Sequence, residues 1–232
     1  RGSAVSNRLV EWDTTQLEDG KYELKLAATD RSGQPPTELT RAIIVDNTPP
    51  VAEITLPRSD DQAGTVVKLI GTASDANFKS YQLEFGQGTS PTIWTSASTR
   101  KTQIEQGELD QWLPGKRTGP YSLRLTVTDQ VNLQEQAQVR VWIKPLTQKA
   151  KGGEVSSADD RASLYVPPNS LQKDSIVTVN RIPASAITWP LDYNWQALDL
   201  VYQIKIEADP PQLKAIKPAT LTISYSGVSL PV

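Results

Sequence analysis

A stretch of this chain recurs 99 residues further on, and that repeat limits the folds open to it. Leu17-Glu18-Asp19-Gly20-Lys21-Tyr22-Glu23-Leu24-Lys25-Leu26-Ala27-Ala28-Thr29-Asp30 is echoed by Gly119-Pro120-Tyr121-Ser122-Leu123-Arg124-Leu125-Thr126-Val127-Thr128-Asp129. Tyr22 matches Tyr121 and Asp30 matches Asp129. Trp12 and Trp112 precede the copies in register to within one residue, and Arg41 and Ile43 fall opposite Arg140 and Trp142. A period near one hundred residues has the size of a β-sandwich module and exceeds a solenoid turn or a propeller blade. The first copy starts midway through the pattern, so residues 1–48 are expected to be the C-terminal half of a module.

Apolar residues alternate with polar ones. Tyr22, Leu24, Leu26 and Ala28 form one such ladder, and Tyr121, Leu123, Leu125 and Val127 repeat it. Val67, Leu69, Gly71 and Ala73 form a third, and Ala137, Val139, Val141 and Ile143 a fourth. Period two marks half-buried antiparallel strands. No amphipathic helix of three turns stands out, and the best helical candidate is a short turn near Gln106–Trp112. Asn47-Thr48-Pro49-Pro50 should be a stiff joint, because proline restricts both itself and its predecessor. A second joint, Lys144-Pro145 followed by Lys149-Ala150-Lys151-Gly152-Gly153, should bend more easily.

Leu17-x-Asp19-Gly20-x-Tyr22-x-Leu24 resembles the tyrosine corner of immunoglobulin-like folds, in which the tyrosine hydroxyl turns back to the upstream main chain. With it, Trp12-Asp13-Thr14-Thr15, Val45-Asp46-Asn47-Thr48-Pro49-Pro50 and Gly71-Thr72-Ala73-Ser74-Asp75-Ala76-Asn77-Phe78-Lys79-Ser80-Tyr81-Gln82-Leu83-Glu84-Phe85-Gly86 look like the immunoglobulin-like repeats of large secreted or surface-attached bacterial proteins. The resemblance is taken to cover residues 1–145. Gly152-Gly153-Glu154-Val155, Ala162-Ser163-Leu164-Tyr165-Val166-Pro167-Pro168-Asn169-Ser170-Leu171 and Asp174-Ser175-Ile176-Val177-Thr178-Val179 resemble a ZU5-type β module, with Val166 and Asn169-Ser170 departing from that family's Ile and Gly-Ala. Some ZU5 relatives cleave themselves at a His-Phe-Ser site, but this chain has no histidine. The expected fold is therefore all-β. Half an immunoglobulin-like sandwich at 1–48 precedes a complete one at 49–145, and a truncated ZU5-like β module follows at 146–232.

The residue inventory argues against catalysis. Cysteine, methionine and histidine are absent, which removes disulfides, the usual zinc and iron–sulfur sites and the commonest general base. No Gly-x-Ser-x-Gly elbow is present. The pairs Asp60-Asp61 and Asp159-Asp160 are adjacent in sequence, and neighbouring strand residues point to opposite faces, so neither suits a glycosidase. The 24 basic and 26 acidic residues give no electrostatic case for nucleic acid or an anionic membrane. No stretch approaches the ~18 apolar residues of a membrane span.

Three features are candidate sites. Asp46 and Asn47, before the proline pair, resemble the calcium-binding linkers of cadherins; Asp75 and Asn77 join them as candidate ligands, and Asp30 and Asp129 could add oxygens if loops converge. Alternatively these residues simply make turns through side-chain to backbone bonds. Trp189, Tyr193 and Trp195 could stack on a polysaccharide or anchor a protein, or could cover the core of the third module. Trp142 falls on the phase opposite Val141 and Ile143, so it should face outward, toward another module or molecule. The expected function is a stalk, spacer or fibre segment of an extracellular or cell-surface bacterial protein, with self-association or protein partners. The alternative is a polysaccharide-binding accessory region of a secreted hydrolase whose catalytic domain lies elsewhere.

Overall fold

The computed structural model describes residues 10–29, 31, 36–186, 201–207 and 218–224. Its regular structure is all-β apart from one 3-10 turn, Ala184–Ala186. No helix among the described residues is long and apolar enough to cross a membrane.

The first unit contributes a hairpin. β1 (Gly20–Ala28) pairs antiparallel with β2 (Thr37–Val45). The Tyr22 hydroxyl donates to the Glu18 carbonyl at 2.9 Å, which is the corner bond expected of this motif. Trp12 meets the Tyr22 ring edge-on, 6.4 Å between centroids.

The central unit contains β3 (Val51–Leu56), β4 (Asp61–Ala63), β5 (Val67–Ser74), β6 (Phe78–Gln87), β7 (Thr95–Arg100), β8 (Ile104–Trp112), β9 (Gly119–Asp129) and β10 (Gln134–Ile143). They form two sheets, β3-β5-β8 and β4-β10-β9-β6-β7. Val67, Leu69 and Ala73 of the first sheet share one buried cluster with Tyr81, Leu83, Leu123, Leu125, Val139 and Val141 of the second. Three of the four expected ladders thus supply this core. Phe85, Trp112 and Tyr121 pack at one end, with Trp112 5.0 Å from Tyr121 and 4.9 Å from Phe85 between centroids.

Two expectations are corrected here. Gln106–Trp112 is strand, part of β8, and not a helical turn. Asp110 faces Leu69 while Glu108 faces Ile70, so Leu109 is an extra residue bulged from the ladder. The bulge places Leu109 and Trp112 on the buried side at a spacing of three, which imitates a helical period. The second correction concerns the repeat. Tyr22 pairs with Ile43, whereas Tyr121 pairs with Val141. The 99-residue offset holds along β1 and β9 but slips by one in β2 and β10. Trp142 is therefore the counterpart of Ile44, not of Ile43.

The C-terminal unit contains β11 (Leu146–Thr147), β12 (Gly153–Ser156), β13 (Ala162–Val166), β14 (Ser175–Ile182), β15 (Val201–Glu207) and β16 (Thr220–Ile223). They form two three-stranded sheets, β11-β14-β15 and β12-β13-β16, around Val155, Leu164, Val166, Leu171, Val177 and Val179.

The second joint is not the loose one expected. Gly152 has φ +61°, and a Cβ there would lie 2.1 Å from the Val166 carbonyl oxygen. Its N–H donates to the Gln148 carbonyl, and the Asn169 N–H donates to that of Lys149. The glycine pair makes a tight turn inside the C-terminal unit instead of a hinge. Central and C-terminal units are also laced together elsewhere. The Thr118 N–H donates to the Ser156 carbonyl and the Ser156 N–H to that of Lys116, each at 2.8 Å.

Candidate functional site

The joint between the first and central units carries a carboxylate cluster. Asp46 follows β2, Asp75 lies in the turn between β5 and β6, and Asp129 ends β9. One carboxylate oxygen from each lies within 4.8 Å of the others. Asp46 and Asp75 are half-buried, and Asp129 is 0 % exposed. The strand order explains the meeting. β6 pairs with β9 so that Phe78 faces Asp129, which brings the turn before β6 against the end of β9.

Hydrogen bonds fix the geometry. The Leu133 N–H donates to Asp129 Oδ1 at 2.8 Å, and the Gln130 N–H donates to the Asn77 carbonyl at 2.8 Å. The Asn77 N–H donates to Asp75 Oδ1 at 2.6 Å, and its Nδ2 donates to Asp46 Oδ2 at 2.8 Å. Asp129 Oδ2 is buried without any hydrogen-bond partner. Burial raises the Asp75 carboxyl above its ordinary value against the Asn77 N–H, and the charges of Asp46, Asp129 and Asp19 raise it further.

Of the calcium candidates, Asp46, Asp75 and Asn77 are brought together, and Asp129 with them. Asn47 is not a member of the carboxylate cluster. Its Nδ2 donates to the Thr14 and Leu17 carbonyls at 3.1 Å each, and its N–H donates to Asp19 Oδ1 at 2.6 Å. Thr48 Oγ1 donates to Asp19 Oδ2. The Thr48 and Asn47 donors hold the Asp19 carboxyl below its usual value. Asn47 and Thr48 thus tie the proline joint to the corner of the first unit, which is the turn-making role. Asp30 lies outside the described residues, as do Trp189, Tyr193 and Trp195.

Trp142 is half-buried and lies on the outward phase of β10. It lines a cleft between the central and C-terminal units with Asp60, Gln62, Asn180, Gln203 and Lys205. Its counterpart Ile44 lines a cleft between the first and central units, with Lys21, Gln130 and Val131. Equivalent positions on successive copies therefore border successive joints. Trp142→Ser should lower the thermal midpoint only modestly, with a cost of about 1 kcal/mol, less than a core truncation. Calorimetry of the variant checks this.

The decisive contact of the second joint is Thr118, which is 0 % exposed. Its hydroxyl donates to the Ser156 carbonyl at 2.9 Å and accepts the Val179 N–H at 3.0 Å. That occupies an edge of β14 which β11 leaves free beyond Ile176. The Tyr121 hydroxyl donates across the joint to the Ala158 carbonyl at 2.8 Å, not to its own corner as Tyr22 does. Burial raises the Tyr121 phenol far above its ordinary value. Ion pairs Lys116–Glu154, Arg117–Asp160 and Lys144–Glu207 surround these bonds at 2.8–2.9 Å. Thr118 and its contacts were not singled out from the sequence. The shared Gly-x-Tyr motif, Gly119 and Tyr121 in this copy, lies beside Thr118 but carries no sign of a partner 38 residues away.

No family model matches the chain, and no curated protein matches it. Among solved structures, the crystal structure of an engineered protein aligns at 16% identity over 40% of this chain and 20% of that one, with a TM-score of 0.31. That likeness is too slight to carry an argument about fold or function.

Proposed function

We propose that this chain is a non-catalytic structural or adhesive segment of a large extracellular or cell-surface bacterial protein, acting as a stalk, spacer or fibre component. In this reading residues 1–48 are half an immunoglobulin-like module, 49–145 a complete sandwich and 146–232 a ZU5-like module. The observation that carries it is the Thr118 contact, which welds two units edge to edge. A spacer works only if its units hold a set orientation under load, and backbone bonds across a joint supply that. The proline joint, tied down through Asp19 and Asn47, serves the same end.

Thr118→Val tests this reading. It keeps the volume but leaves the buried Val179 N–H without its acceptor, at a cost of about 1–3 kcal/mol. The native central and C-terminal units should melt in a single calorimetric transition, and the variant should resolve it into two. Two separate transitions in the native chain would contradict a welded spacer.

A second reading, polysaccharide binding, draws support from Trp142 in a cleft lined by the amides of Gln62, Asn180 and Gln203. A ring face flanked by amides suits a sugar. Glycan-array binding that disappears in Trp142→Ser would favour it, and an array without signal would remove it.

A further inference from the structure

We infer that Asp46, Asp75 and Asp129 form a calcium site that locks the first joint. The inference stands apart from the spacer reading, since a cation could bind here whatever the segment does.

Three carboxylates converge within 4.8 Å, and the acidic charges of Asp46, Asp129 and Asp19 bear on Asp75. Asp129 is fully buried, and its Oδ2 has no donor of any kind. A buried carboxylate oxygen without a partner is costly, and a native fold keeps one where something compensates it. The Leu133 N–H satisfies only the other oxygen. A metal ion supplies what the chain does not.

The chemistry of the donors selects the ion. All three are hard oxygens, which suit calcium or magnesium over softer metals. Ligands at the ~2.3–2.6 Å of a calcium shell lie up to about 5 Å apart, which accommodates this cluster as it stands. Magnesium requires about 2.0–2.1 Å and near-ideal octahedral geometry. The donors here come from three separate segments, each held by its own hydrogen bonds, and the longer, more variable shell of calcium suits such a set better than the tight octahedron of magnesium. Water fills the remaining positions. Because Asp46 closes the first unit while Asp75 and Asp129 belong to the central one, the bound ion bridges the two.

The experiment is calorimetric titration of calcium chloride into the chelator-treated full chain, with Asp46→Asn and Asp75→Asn as isosteric variants. One saturable site is expected in the native chain, with at least tenfold weaker binding of magnesium and loss of calcium binding in both variants. At a hundredfold excess over Kd, calcium should raise the native midpoint by about 5–10 °C. In chelator the variants should melt at or above the native midpoint, because charge repulsion has been relieved, and in calcium they should melt below it. That inversion of sign separates a cation site from a set of turn bonds. No binding up to ten millimolar calcium, equal binding of magnesium, binding that survives both substitutions, or variants that are equally destabilised with and without calcium would each overturn the inference.

Discussion

Leu125→Ala should cost the central unit about 3 kcal/mol and lower its midpoint by roughly 10–20 °C. Leu125 is 0 % exposed and sits where the faces of the two central sheets meet. Truncation removes its transfer free energy and leaves a cavity that close-packed neighbours, its cross-strand partners Leu83 and Ala137 among them, fill only in part. The repeat provides an internal control. Leu26 occupies the same place in the first copy and is 48% exposed, just as Leu24 is 47% exposed where Leu123 is 2% exposed. Leu26→Ala should therefore cost less than about 1 kcal/mol in this chain. Equal losses for the two alanine variants would mean that the hairpin face is as well covered as the central core. Denaturant titration followed by tryptophan emission reads both, since Trp112 reports on the central core and Trp12, packed edge-on against Tyr22, on the hairpin.

Gly71→Ala should be comparably severe for a different reason. Gly71 lies in β5 opposite Ile54 of β3, beside a register shift. A Cβ at this position would stand 1.9 Å from the Glu53 carbonyl oxygen and 2.9 Å from its carbonyl carbon. Both are main-chain atoms, so no rotamer change relieves the clash, and β3 must shift away from β5. The expected cost is about 3 kcal/mol or more, at the upper end of overpacking effects. Loss of amide exchange protection across Val51–Leu56, with β9 and β10 still protected, is the signature. Unchanged protection in β3 would show that the strand bulge absorbs the extra methyl group.

The strands were legible in the sequence wherever one face is buried and the ladder is regular. Tyr121 to Val127, Val67 to Ala73 and Ala137 to Ile143 alternate because each has one face on a core, and all three are strands. Reading failed where a bulge broke the alternation. Leu109 and Trp112 are both buried at a spacing of three, and no local signal separates that from a helical turn. The one-residue slip between copies was hidden for a similar reason. Arg41 and Arg140 align by type, yet Arg41 pairs with Leu24 whereas Arg140 pairs with Ser122.

At the candidate site, residue types were informative and partners were not. Asp46, Asp75 and Asn77 stood out as oxygen donors in turns, and they do converge. Asn47 has the same chemistry, but the nearby Thr14 and Leu17 carbonyls capture its amide, and a chain separation of some thirty residues conceals that. Asp129 was visible as the end of a repeated strand and as an oxygen donor only if loops converge. Its burial follows from the pairing of β6 with β9. The joint was misjudged because a glycine pair looks like a hinge in sequence. Gly152 is required instead by close approach to the Val166 carbonyl. The bonds that fix the joint join Lys116–Thr118 to Ser156 and Val179, contacts set by tertiary packing alone.

Rigidity between the central and C-terminal units is the claim on which the spacer reading depends, and pulsed electron resonance measures it directly. The chain has no cysteine, so Thr99→Cys and Gln172→Cys, both at exposed positions, place one spin label on each unit without background. A single narrow distance distribution, broadened in Thr118→Val, is the expected result. A broad or multimodal distribution in the otherwise native chain would contradict the account.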